Sequence, residues 1–192
     1  GHWSYGLEQL GLWAAAAPGR QLLVLAGTPE EDDALLPLGT LPPELALACS
    51  RCLREGGPAN WSAVFRSLRQ LLEGDGLQPP ALHPLADPQP HDWRPDPGPR
   101  VGVVLYRALL QSGDLALAEA LLAALRAAGL APRALWVSGL RSPAVQRGVA
   151  DLLGREQVQA VLCTTSFASV QLEEAGLGAP LWEALAVPVL QL

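Results

Sequence analysis

Three short polar clusters in an otherwise apolar stretch hold the residues most able to do chemistry. They are Tyr106-Arg107 with Ser112 downstream, Ser138-Gly139-Leu140, and Thr164-Thr165-Ser166-Phe167. Arg107 is a fixed planar cation suited to paired recognition of a carboxylate, and the Ser, Thr and Tyr hydroxyls supply neutral donors. Tyr106, Arg107, Ser112, Thr164, Thr165, Ser166 and Phe167 are therefore the candidate ligand contacts. The bland reading is that Arg107 pairs with a nearby acid and the Thr-Ser run satisfies loop backbone groups.

Each cluster follows an apolar run. Val101 to Leu105, Ala134 to Val137 and Val158 to Cys163 have the near-continuous hydrophobicity of strands covered on both faces of a parallel sheet. Helical patterns separate them. Leu117, Leu121, Leu122 and Leu125 share one face of a segment from Asp114, a candidate N-cap, to Ala128. Ser142-Pro143 starts another segment that runs to about Leu153. A short helix at Ala179–Leu185 and a strand at Val187–Leu192 complete the alternation, which predicts right-handed crossovers and a parallel sheet. Ligands of such sheets sit outside the carboxyl ends of the strands, where all three clusters fall.

The first part reads as a helix-rich α/β portion over residues 1–77. A helix from about Trp3 to Ala17 stops at Pro18-Gly19, and Gln21–Ala26 reads as a short buried strand. Pro43 opens a helix to about Arg54, and Asn60 is placed as the cap of another, Trp61–Leu72. Residues 78–99 are a proline-rich linker, extended over the surface or packed as an irregular arm, because proline permits neither helix nor central strand there. Residues 100–192 form the Rossmann-like βαβαβ portion. The expected class is α/β, with parallel sheets flanked by helices.

Composition removes several function classes. Net charge is −6 and all 13 basic residues are arginine, so a phosphate-neutralising nucleic-acid surface is not expected. Without lysine there is no phosphate loop of the G-x-x-x-x-G-K type, and no G-x-G-x-x-G follows a leading strand. No apolar run approaches the roughly 20 residues of a membrane span. Three cysteines suit a reducing cytoplasm better than a disulfide framework. Cys49 and Cys52 have C-x-x-C spacing but fall late in a helix, where small packing residues are the commoner use. His83, His91 and Asp92 resemble a loose metal cluster, but their setting among prolines favours solvated loop side chains. Trp3, Tyr5 and Trp13 share a helical face, adequately explained by core or interdomain packing, with a planar-ligand platform as the sharper reading. No Ser-His-Asp or Cys-His arrangement stands at a meaningful spacing. Methionine is absent, and both ends read as cut, as in a piece of a longer protein.

Five segments carry a resemblance. Gly1–Glu8 (GHWSYGLE), Leu53–Asn60 (LREGGPAN), Val101–Arg107 (VGVVLYR), Val161–Ala168 (VLCTTSFA) and Leu185–Gln191 (LAVPVLQ) resemble, in order, the large subunit of cobaltochelatase. That family also contains the large, porphyrin-binding subunit of magnesium chelatase. The resemblance implies a much longer subunit that binds a tetrapyrrole and inserts a divalent metal such as cobalt. ATP would be used on separate AAA+ partner subunits, in agreement with the missing phosphate loop. For a cobalt enzyme of cobalamin biosynthesis the substrate would be hydrogenobyrinic acid diamide, a corrin edged with carboxylates and amides. The metal-delivering histidines and acids of the family would lie beyond Leu192, so no catalytic or metal-binding residue is assigned, and this stretch alone is expected to catalyse nothing. Its partners would be the remainder of the large subunit, the ATPase subunits and the tetrapyrrole, with no nucleic acid. Two other readings stay open: a structural scaffold that docks neighbouring domains, and an independent small-molecule module of Rossmann-like form.

Overall fold

The computed structural model describes residues 6–17, 19–25, 34–74, 78–165 and 180–192. They fall into two compact units divided between Pro84 and Leu85.

In the first unit three α-helices are described, α1 (Leu7–Ala15), α2 (Pro43–Glu55) and α3 (Pro58–Glu73), with a short 3-10 turn at Leu36–Leu38. Both α2 and α3 begin with proline in the first turn, where its fixed φ suits the helix and its missing N–H costs nothing. Gly56 and Gly57, at φ 72° and 85°, make the reversal between them, a conformation that a Cβ would penalise. The two helices close on Leu45, Ala46, Cys49, Cys52 and Val64, all buried, with Leu68 and Leu71 at the edge. The strand expected over Gln21–Ala26 does not form across residues 21–25. Leu22 instead closes a local loop, its N–H donating to Thr40 Oγ1 at 2.7 Å and its carbonyl accepting from Thr40 N–H at 2.8 Å. No neighbouring strand is present among the described residues of this unit to pair with it.

Asn60 is not the cap of α3 but lies inside its first turn, fully buried. Its amide nitrogen donates to the carbonyls of Gly56 and His83, and its oxygen accepts from His83 N–H, each at 2.8 Å. One side chain thus ties residues 78–84 to the helical hairpin.

The second unit is the sheet. Its strands are β1 (Gln89–His91), β2 (Arg100–Tyr106), β3 (Ala131–Val137), β4 (Ala160–Cys163) and β5 (Val189–Gln191), in the order β1-β3-β2-β4-β5. The last four are parallel. β1 comes from the proline-rich segment and pairs antiparallel with β3, Gln89 opposite Trp136 and His91 opposite Ala134. Proline is admissible there because an edge strand need not donate on its outer side.

Residues of β2 and β3 alternate between two cores. Val103, Leu105, Ala134 and Trp136 face α5 (Ala116–Ala127), meeting Ala118 and Leu122. Val104, Leu135 and Val137 face α6 (Pro143–Arg155) and α7 (Pro180–Leu185), meeting Val145, Val149, Leu153 and Leu181. Each fully buried Leu, Val or Trp of these layers contributes about 1.5–3 kcal/mol. Gly102 sits on the α6 side because a Cβ there would lie 2.9 Å from Leu153 Cδ1 and 3.2 Å from Val161 Cγ2.

A helix not anticipated from sequence, α4 (Arg107–Ser112), follows β2 directly and ends at Gly113 with φ 76°. Asp114 is consequently not the cap of α5, whose N-cap is Leu115. The run Ala108-Leu109-Leu110-Gln111 is a strong helix former, and its leucines pack against the α5 core.

The rest of the proline-rich segment is clamped to the sheet. Trp93 Nε1 donates to Ala134 O at 2.7 Å. Arg126 of α5 holds Asp96 at 2.9 Å and Asp92 at 3.0 Å, and its Nη2 donates to the Asp92 carbonyl at 2.8 Å. The hydrogen bond from Arg94, aided by the charges of Arg126 and Arg94 and opposed by partial burial, holds the Asp92 carboxyl below the usual range.

Asn60→Ala is expected to destabilise the chain by about 2–4 kcal/mol in urea unfolding, since it removes three hydrogen bonds from a buried site. A depressed carboxylate stabilises the fold above its unfolded pKa, and that stability is lost as pH falls through its folded value. Asp92→Asn should therefore lose stability at neutral pH and show a shallower decline below the ordinary carboxylate range, read from thermal melts across acid pH.

Candidate functional site

The connection from β2 to β3 runs to one side of β2, and β4 joins on the other. This reversal leaves a crevice at the carboxyl ends of β3, β2 and β4, the position at which open α/β sheets take ligands. A cavity of about 420 Å³ lies there, lined by Tyr106, Ser138, Gly139, Leu140, Arg141, Ser142 and Thr165. That volume lies within the range of small-molecule sites.

Each wall has a local cause. Tyr106 is the last residue of β2, directly beside Val137 of β3. The loop Ser138–Ser142 leaves β3 and turns into α6, with Ser142 as N-cap. It is pinned at several points. The Leu140 side chain is buried in the α6 core, and Gln146 Nε2 donates to Leu140 O at 2.7 Å. Ser138 N–H donates to Asp87 Oδ1 at 3.2 Å. Thr165 ends the described part of the third wall. It is 3% exposed, with its hydroxyl 3.1 Å from Cys163 Sγ and its carbonyl accepting from Gln191 Nε2 at 2.9 Å.

The residues singled out from sequence separate in this frame. Tyr106 and Thr165 line the cavity together. Arg107, one residue into α4, is turned to Asp87 of the proline-rich segment, with Nη1 3.8 Å from Asp87 Oδ2 and only 14% of its side chain exposed. Thr164 Oγ1 donates to Val104 O at 3.0 Å, joining β4 to β2. Ser112 Oγ donates to Leu109 O at 3.1 Å and closes the end of α4. Ser166 and Phe167 lie outside the described residues.

Arg141 is the cation that sequence reasoning missed. It stands between a strand end and a helix cap, so the rule that singled out Ser138-Gly139-Leu140 needed only two more residues to reach it. The four described lining side chains with polar atoms besides Arg141 are hydroxyl-bearing. The described lining thus sets one guanidinium among neutral hydroxyl donors, groups able to contact a carboxylate.

The cysteines and histidines are placed structurally. Cys49 and Cys52 are fully buried between α2 and α3, and the Cys52 thiol lies 3.6 Å from Ala81 O. Burial, reinforced by Cys52, pushes the Cys49 thiol up to about 11, and burial raises Cys52 as well. His83 is held through its backbone by Asn60, and His91 meets Trp136 edge to face with ring centroids 5.2 Å apart. Among the described residues no group of three His, Cys, Asp or Glu could hold a metal. No described helix is long and apolar enough to cross a membrane.

Residues 50–192 match the sequence profile of the family described as CobN/Magnesium Chelatase. The chain belongs to that family. The matched span contains every described strand of the sheet and every described residue that lines the crevice. The chain is 33% identical over 181 residues to the aerobic cobaltochelatase subunit CobN of Pseudomonas aeruginosa, covering 88% of this chain and 14% of that protein. It therefore spans a small part of the length of this CobN relative. In fold it is similar to the catalytic subunit of cobaltochelatase from Mycobacterium tuberculosis, with a TM-score of 0.71 at 23% identity. That likeness covers 98% of this chain and 16% of the other.

Raised, buried thiols are poor nucleophiles, since the thiolate is the reactive form. At pH 8 Cys49 and Cys52 are expected to resist a disulfide reagent in the folded chain and to react fully once it is unfolded in guanidinium. Absorbance of the released thiolate checks this.

Proposed function

We propose that this chain is a segment of the large subunit of a cobaltochelatase-type enzyme, which inserts cobalt into a tetrapyrrole. In this reading metal and macrocycle are substrates, ATP is used on separate AAA+ partner subunits, and the macrocycle is a corrin precursor of cobalamin edged with carboxylates. The observation that carries the reading is the family match over residues 50–192, which takes in the described strands of the sheet and the crevice. The likeness in fold to a cobaltochelatase catalytic subunit supports it.

Within that subunit the segment's part is recognition rather than chemistry. The crevice has room for one carboxylate-bearing edge of a macrocycle. Arg141 supplies the positive charge, while Tyr106, Ser138, Ser142 and Thr165 surround it with hydroxyl-bearing side chains. Arg107 pairs with Asp87, which holds the crevice loop at Ser138. No described side chain pairs a nucleophile with a base there, and none is needed for holding a substrate.

A second reading, in which the segment is a scaffold for neighbouring domains, is favoured by one feature. Helix α3 exposes Trp61, Phe65 and Leu72 along one stripe, at 39%, 60% and 68%, with the two rings 6.1 Å apart. Exposed apolar stripes of this kind mark interaction surfaces.

Titration with hydrogenobyrinic acid diamide, followed by tryptophan fluorescence, separates the two. Saturable binding is expected, weakened about tenfold in Arg141→Ala, the size of one charge-assisted contact. Binding that is unchanged in Arg141→Ala and in Thr165→Val would remove the crevice from the account. No binding to the unaltered chain would leave the scaffold reading.

A further inference from the structure

The acid beside the crevice calls for a role of its own. A carboxylate next to a receptor for carboxylates opposes its ligand unless it is itself engaged. Asp87 is engaged twice. Oδ1 accepts from Ser138 N–H at 3.2 Å, at the first residue of the crevice loop, and Oδ2 faces Arg107 Nη1 at 3.8 Å, at the end of β2. Its position is fixed by its neighbours in the chain. Pro88 packs against Gly148 of α6 so closely that a Cβ on Gly148 would lie 2.6 Å from Pro88 Cδ, and Gln89 enters the sheet opposite Trp136. A residue of the proline-rich segment is thereby held at the carboxyl end of the sheet.

Resting on the crevice reading above, we propose that Asp87 is the positioning residue of this site. Its carboxylate anchors the Ser138–Ser142 loop through one oxygen and neutralises Arg107 through the other. The loop then holds Ser138, Arg141 and Ser142 at the crevice, and Arg107 is engaged beside it. The two functions are separable, because an amide oxygen can accept from Ser138 N–H but carries no charge for Arg107.

Three forms of the chain test this: the unaltered protein, Asp87→Asn and Asp87→Ala. Two readouts are needed. One is amide exchange at Ser138 by NMR without ligand. The other is affinity for a corrin with free carboxylates and for the same corrin fully amidated.

Asp87→Asn is expected to keep Ser138 protected and to bind the carboxylate form at least as tightly as the unaltered protein, since Arg107 is then no longer neutralised. The amidated form should bind it unchanged. Asp87→Ala should expose Ser138 to exchange and weaken both ligands about five- to tenfold, the scale of one hydrogen bond to a charged group. Wild-type exchange and affinity in Asp87→Ala would overturn the proposal. So would an Asp87→Asn variant as weak as Asp87→Ala with Ser138 still protected. If the unaltered chain binds neither corrin, the crevice reading fails. Ser138 exchange then still decides whether Asp87 anchors the loop.

Discussion

A strand that is apolar on both faces cannot rest against water on either, and β2 is such a strand. Val103 and Leu105 point one way, Val104 the other, and all are buried. Parallel pairing on both edges satisfies its backbone, and helices must then cover both of its faces. The crossover after β2 supplies α5 to one face, and the crossover after β3 supplies α6 to the other. Once the second crossover returns on the opposite side of β2, the chain has reversed direction in the sheet. The helices diverge there, and the crevice follows from that divergence. Burial of β2 on two faces thus sets both the stability of the unit and the location of its site.

The outer edge of β3 presents the remaining difficulty, since an unpaired edge invites association with other chains. The proline-rich segment answers it from within the molecule. Only three of its residues form β1, and the rest is held by side chains: Trp93 on a β3 carbonyl, and Asp92 and Asp96 on Arg126. Polar clamps of this sort are worth little when exposed, but here several converge on one half-buried guanidinium. Asp87 belongs to the same strap. The segment that closes the edge of the sheet also reaches the wall of the crevice.

Much of the sheet was legible because its signal is redundant. Val101–Leu105 is apolar on both faces, Ser142-Pro143 is a start signal, and strand and helix alternate. Helix α4 was not legible, because Arg107-Ala108-Leu109-Leu110 reads equally as the rim of a strand or the first turn of a helix. Only Gly113 marks its end. The strand expected at Gln21 failed for a different reason: a short apolar run becomes a strand only where a partner exists, and Leu22 found Thr40 instead. Asn60 has cap chemistry and lies near a helix start, yet its amide is used for a tertiary bridge to His83 that no local pattern encodes.

The candidate site shows the same division between local and tertiary information. Residue type and strand-end position suffice to find Tyr106 and Thr165, because the sheet carries its strand ends to one place. They do not settle which arginine faces the cavity. Arg107 and Arg141 both follow strands by a few residues and differ little in sequence context. Arg107 pairs with Asp87, which lies 20 positions before it and reaches it because Gln89 and His91 pair with β3. An ion pair formed across a sheet edge thus ties Arg107 to the strap, while Arg141 lines the cavity. The proline-rich segment, which in sequence looks like a tether, therefore supplies a charged partner beside the crevice.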